Sequence, residues 1–248
     1  MENFWKTEFH FTEWGDYMQT SAVWGYFTIA VIICILMAHR FLTVSRRNEY
    51  KKAFLFKGCA GLCFIAAGGL TASLCPDRRF ALFVTAGLIL GLAGDQLLAL
   101  RFIYPKKHDT FFAIGGSSFA AGHILYIIAL LQNDSPVWMA AIPIGAAGAA
   151  ASLIFARMMK LRAGSMKIPL AGYVIILSAA LAVSWGNAAG QLLPNRLLFA
   201  AGSLLFLISD NILFAFCFGE RRTSAMNRAI HGTYYAAQLS IALSMGLM

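Results

Sequence analysis

At 248 residues, the chain carries 59% hydrophobic and only 12% charged residues, with a mean hydropathy of +0.68. Soluble globular chains carry about 25% charged residues, so this one has too little charge to wet its own surface. A soluble enzyme, a nucleic-acid-binding protein and a disordered tail are poor readings despite the net charge of +9; eight membrane spans of about 20 residues would use roughly 160 positions and leave only short loops.

In chain order, residues 1–21 come first. They are acidic and aromatic, with Glu2, Glu8, Glu13 and Asp16 against Lys6. A secretory signal needs a basic start and an early apolar core, so this segment is expected to be a retained tail at the outer interface, with Trp5, Trp14 and Trp24 as belt residues. Residues 22–248 then read as one eight-helix transmembrane domain, with apolar runs at 22–42, 54–74, 80–100, 111–131, 137–157, 168–186, 196–218 and 228–247. Pro76, Pro105, Pro136 and Pro194 fall in the breaks, where a missing N–H costs nothing. The runs are apolar on all faces without alternation, which argues for helices over barrel strands. The fold class is therefore an all-α integral membrane protein. The five cysteines form no CxxC pair and four lie in apolar runs, so neither a disulfide framework nor a zinc site is expected.

Lys and Arg collect on the cytoplasmic side of short loops. Sixteen of the twenty lie in or beside the odd-numbered loops, and Lys6, Arg78, Arg79 and Arg196 on the other side. Both termini are therefore expected outside, with the odd loops in the cytoplasm of a bacterial inner (cytoplasmic) membrane. An internal echo also appears: AGLILGLAGDQLL from Ala86 and AGSLLFLISDNIL from Ala201 align at an offset of 115 residues. That offset sets Asp95 on Asp210 and His123 on Gln238. Four helices plus four would make a parallel repeat, because an even number of crossings preserves direction; coincidence between two low-complexity helices is the alternative.

Asp95 and Asp210 are the two acidic residues well inside apolar spans. A carboxylate there is costly unless paired, protonated or wet, and marks function by default; interhelical glue is the plainer alternative. Both lie at a similar depth, roughly 21–24 Å from the outer edge at 1.5 Å per residue, in the cytoplasmic half. Other polar residues converge on that half. Tyr173 is early in span six. His231, Tyr234, Tyr235 and Gln238 form a stripe on span eight at i,i+4 spacing. His123 and Tyr126 sit in span four, and Lys57 enters span two from the cytoplasmic side.

The GDQLL around Asp95, AAGHILY around His123, SDNILFA around Asp210, YYAAQ from Tyr234 and KIPLAGY from Lys167 to Tyr173 resemble the YhhN family of membrane proteins over residues 54–248. The resemblance implies an eight-helix fold. Its animal and some bacterial members are lysoplasmalogenases, which hydrolyse the vinyl ether of lysoplasmalogens (alkenylglycerophosphocholine or -ethanolamine), and Asp95 and Asp210 match the family's proposed catalytic acids. The chemistry fits: protonation of the vinyl β-carbon leaves an oxocarbenium ion, and water then adds to the α-carbon. That needs one protonated acid and one ionised carboxylate, as inverting glycosidases divide the work for a similar cation. The apolar neighbours of Asp95 (Gly91, Leu92, Gly94, Leu98) lean towards Asp95 as the acid. Tyr173, Tyr234 and Tyr235 are expected to orient water or an Asp, with His123 and Gln238 in the same polar set. Lys57 and Lys167 are expected to hold the lipid phosphate. No cofactor or metal is required. The expected partners are the lysophospholipid substrate and the bilayer, with no nucleic acid; the oligomeric state stays open, a homo-oligomer included. Paired midmembrane acids also describe a proton-coupled transporter, whereas a retinal-type receptor would need a Lys deep in span eight. For the topology, reporter fusions at Met248 and within residues 43–53 should report opposite sides, outside and cytoplasmic. A cytoplasmic Met248 would overturn the count of spans.

Overall fold

The computed structural model describes residues 20–248, the Asn133 side chain excepted, so the outer tail with Trp5 and Trp14 lies outside the described residues. Eight long helices follow one another: α1 (Glu2–Arg46, described from Thr20), α2 (Tyr50–Leu74), α3 (Arg78–Ile103), α4 (His108–Asn133), α5 (Trp138–Met158), α6 (Lys167–Gly190), α7 (Pro194–Phe218) and α8 (Ser224–Met245). Short 3-10 turns precede α4 and α6, and no strand occurs among the described residues. The boundaries follow local chemistry. Asp77, just after Pro76, caps α3 by accepting from the backbone N–H groups of Arg79 and Phe80 at 2.9 and 3.1 Å. Thr223 caps α8 through the Met226 N–H at 3.2 Å. Both use a short side-chain oxygen to satisfy first-turn donors. Pro194 opens α7, where its fixed φ is already helical.

Seven helices, α1 from Thr20 through α7, are long and apolar enough to cross a membrane, giving an all-helical fold of the multipass membrane type. The eighth differs from the expectation. At 22 residues, α8 is long enough to span, yet its hydropathy falls short. The physical reason is its place in the bundle: α8 packs against α7, α2, α3 and α1, so its Tyr234, Tyr235 and Gln238 are buried against protein rather than lipid. Large apolar side chains cover the outside instead, among them Leu62, Leu82, Ile142 and Ile175.

Six helices form a closed ring, α2–α3–α4–α6–α7–α8 and back to α2, with α1 flanking α2 and α5 flanking α6. Advancing each helix by four maps α1–α2 on to α5–α6, α2–α3 on to α6–α7, α3–α4 on to α7–α8, and α2–α8 on to α6–α4, all of them contacts present in the bundle. Two close backbone approaches are related by the 115-residue offset. A Cβ on Gly122 would lie 3.1 Å from the Gly87 carbonyl oxygen, and a Cβ on Gly202 would lie 3.0 Å from that of Ala237. Gly87 and Gly122 correspond at that offset to Gly202 and Ala237. Small residues let backbones approach this closely in lipid, and Gly87 and Gly202 each precede the aspartate of the same helix by eight residues, about two turns.

Candidate active site

Asp95 and Asp210 face one cavity of about 240 Å³, whose lining includes Arg46 and Tyr50 on either side of the turn between α1 and α2. Both are buried, at 4% and 6% exposure, and near enough for their charges to interact. Each is partnered by the helix that precedes its own. From α2, the Lys57 ammonium reaches Asp95 Oδ1 at 2.8 Å and donates to the Asp95 backbone oxygen at 3.2 Å. From α6, the Tyr173 hydroxyl donates to Asp210 Oδ2 at 2.5 Å. Lys57 precedes Asp95 by 38 residues and Tyr173 precedes Asp210 by 37, so each partner lies a similar distance upstream of its aspartate, one residue out of register at the 115-residue offset. One is a cation and the other a neutral hydroxyl. Asp95 Oδ2 is buried and meets no donor in good geometry among the described residues; the Tyr234 hydroxyl is the group that interacts with this carboxylate.

Asp210 also borders a second cavity of about 230 Å³ between α4 and α6, reached past Leu98, Phe119 and Leu213, which line both spaces. Its walls are largely apolar, including Phe112, Leu170, Ile176 and Phe214. One face of the site is thus rich in charge and the other is a hydrocarbon slot, with Asp210 between them.

A polar relay supports the floor. Tyr126 donates to Gln238 Oε1 at 3.1 Å, and Gln238 Nε2 donates to the Tyr234 hydroxyl at 3.2 Å. Gly91 makes room for it, since a Cβ there would come within 2.3 Å of Gln238 Nε2. His123 Nδ1 donates to the Phe119 carbonyl at 2.9 Å, which fixes the tautomer and leaves Nε2 as a buried acceptor without a partner among the described residues. The ring lies edge-on to Phe206 at 4.3 Å and near Tyr173 at 6.4 Å.

The structure brings together Asp95, Asp210, Lys57, Tyr173, Tyr234 and Gln238. His123 packs beside Tyr173 but lines neither cavity. Tyr235 lines neither cavity; it packs against Phe64, and its hydroxyl is buried without a partner among the described residues. Lys167 is exposed at the start of α6, outside both linings. The phosphate-holding role expected of Lys57 and Lys167 therefore does not match their positions: one is engaged with Asp95, the other stands away from the cavities. His231, one of the polar stripe on α8, does line the first cavity, with Nδ1 donating to the Asn227 carbonyl at 2.8 Å. Sequence reasoning missed Arg101, buried at 5% exposure in the wall of the same cavity. From sequence it is a cation directly after the apolar run 80–100, one of those beside the odd-numbered loops, whereas the helix continues through it to Ile103.

The family model described as YhhN matches residues 52–245, from the first turn of α2 to the end of α8, and leaves α1 outside. No curated protein and no solved structure matches the chain.

Removing one partner of a buried ion pair strands the other charge and costs about 3–5 kcal/mol, whereas replacing both by apolar residues is often neutral. Lys57→Met should therefore lower the unfolding temperature in detergent markedly, and Lys57→Met combined with Asp95→Leu should recover most of the loss. A Lys57→Met protein as stable as the unmodified chain would contradict the pairing.

Proposed function

The chain belongs to the YhhN family, and on that premise we propose that it is an intramembrane hydrolase that cleaves the vinyl ether of lysoplasmalogens, releasing a fatty aldehyde and a glycerophospho-alcohol. The observation that carries this reading is the pair of aspartates on one cavity with unlike partners, Lys57 on Asp95 and Tyr173 on Asp210. A vinyl ether needs a proton donor and an ionised carboxylate together, and two carboxyls with the same surroundings would not divide these roles.

An adjacent cation favours the ionised form of a carboxylate, so Asp95 is the base. Asp210, whose hydrogen-bond partner is a neutral hydroxyl, carries the proton. This reverses the lean towards Asp95 as the acid, because both aspartates are buried but only Asp95 has an ammonium beside it, at 2.8 Å. In the reaction, Asp210 delivers its proton to the β-carbon of the alkenyl chain and the double-bond electrons form the new C–H bond. The positive charge settles on the α-carbon and the ether oxygen, facing the Asp95 carboxylate. Water adds to the α-carbon and gives a proton to Asp95 Oδ2. The hemiacetal then collapses: its hydroxyl proton leaves, the ether oxygen departs protonated as the alcohol, and the net proton returns to Asp210. One water is consumed and no group is oxidised or reduced. The apolar slot between α4 and α6 suits the hydrocarbon chain, with the reacting carbon beside Asp210.

The two halves are read as a parallel four-plus-four repeat with α8 as the eighth crossing. Lys57 then falls on Gly172, one residue before Tyr173, and the unlike partners break the symmetry of the aspartates. The site lies in the cytoplasmic half and both termini outside. The test is aldehyde release from alkenylglycerophosphoethanolamine by protein purified in detergent, where a transporter, having no second compartment, performs no chemistry. Asp95→Asn and Asp210→Asn should each lower turnover by roughly 10²-fold or more while leaving the protein folded. Absence of aldehyde from the unmodified protein, or full activity in either variant, would refute the assignment.

A further inference from the structure

Arg101 is a buried guanidinium without a counter-charge. Its Nη1 donates to Cys217 Sγ at 3.2 Å, a weak acceptor, and its Nε is buried with no partner among the described residues. Its cationic carbon stands 4.7 Å from the Phe102 ring and 5.3 Å from that of Phe112. Among the described residues no carboxylate pairs with it: Asp95 is held by Lys57, and Asp210 by Tyr173. A buried charge is ordinarily paired, so this guanidinium offers an anion-binding group in the wall of the first cavity. Arg46, exposed in the lining of the same cavity, adds a second cation.

We propose that Arg101 is the site that binds the phosphate of a single-chain phospholipid and so sets the position of the lipid along the cavity. A planar guanidinium fits two phosphate oxygens at once. The spacing agrees with the chemistry. Arg101 follows Asp95 by six residues, roughly 9 Å along the helix at 1.5 Å per residue. In an alkenyl glycerophospholipid, seven bonds separate the protonated carbon from phosphorus, roughly 8–9 Å when extended. A phosphate on Arg101 therefore sets the vinyl ether at the level of the aspartates. This rests on the hydrolase reading for its substrate, but phosphate recognition can be tested without any chemistry.

Binding of lysophosphatidylethanolamine, which has an ester and no vinyl ether, is compared with binding of the monoacylglycerol of the same chain, in neutral detergent. The unmodified protein should prefer the phospholipid by at least about tenfold. Arg101→Gln should abolish that preference without weakening monoacylglycerol binding, and Arg101→Lys should keep part of it. In turnover, Arg101→Gln should raise KM for the phospholipid substrate far more than it lowers kcat. Glycerophosphoethanolamine and inorganic phosphate separate the two sources of a phosphate. Both should bind much more weakly than the lipid, and inorganic phosphate binding as tightly as the lipid would overturn the lipid assignment. An Arg101→Gln protein that keeps the phospholipid preference would overturn the site itself. If the preference depends on Arg101 but no aldehyde is ever released, the hydrolase reading fails and the phosphate site stands; aldehyde release with a preference indifferent to Arg101 gives the converse.

Discussion

Two carboxylates inside an apolar helical bundle each need a partner, and the rest of the structure is organised by how each is supplied. In both cases the partner comes from the helix before, Lys57 of α2 for Asp95 and Tyr173 of α6 for Asp210. Across a low-dielectric gap these are very different partners. An ammonium balances a full charge, while a hydroxyl offers one hydrogen bond and no charge. One aspartate thus meets a cation and the other a phenol, and the proposed hydrolase rests on that asymmetry for its base and its acid.

The packing serves that division. The close helix approaches at Gly122 and Gly202 bring α3 on to α4 and α7 on to α8, so both aspartate helices are held by the same kind of contact. Gly91 leaves the space that Gln238 fills, and Gln238 in turn ties Tyr126 to Tyr234 beside Asp95. These glycines shape the polar site as well as the lipid-phase packing. The hydropathy of α8 suffers for the same reason, since the helix spends its inward face on Tyr234 and Gln238 instead of on apolar contacts.

Much of this was legible in the sequence. Asp95 and Asp210 stood out because an acid in an apolar run needs a reason. Seven helices and their order followed from apolar runs punctuated by proline. What local spacing does not carry is which side chains meet across helices. Lys57 looked like a charge at a membrane surface, so its bond to Asp95, 38 residues on, could not be read. Arg101 was hidden the same way, in the company of the loop cations Lys106 and Lys107. Tyr234 and Tyr235 are adjacent, yet successive helical residues diverge by about 100°; both pack near Phe64, but only Tyr234 lines the cavity. Lys167 shares a motif with Tyr173, but as the first residue of α6 it stays exposed while Tyr173, nearly two turns on, is buried.

The direct consequence of an acid at Asp210 facing a vinyl ether is a new bond between solvent hydrogen and carbon. Ester or simple ether hydrolysis places solvent hydrogen only on oxygen. Run in heavy water, with the aldehyde trapped before enolisation and read by mass spectrometry, the reaction should put one deuterium on C2 of the aldehyde. It should enter on one face only, because the donor is fixed, and turnover should slow because the proton transfer is part of the barrier. An aldehyde without deuterium at C2 would contradict protonation of carbon and, with it, the division of labour between Asp210 and Asp95.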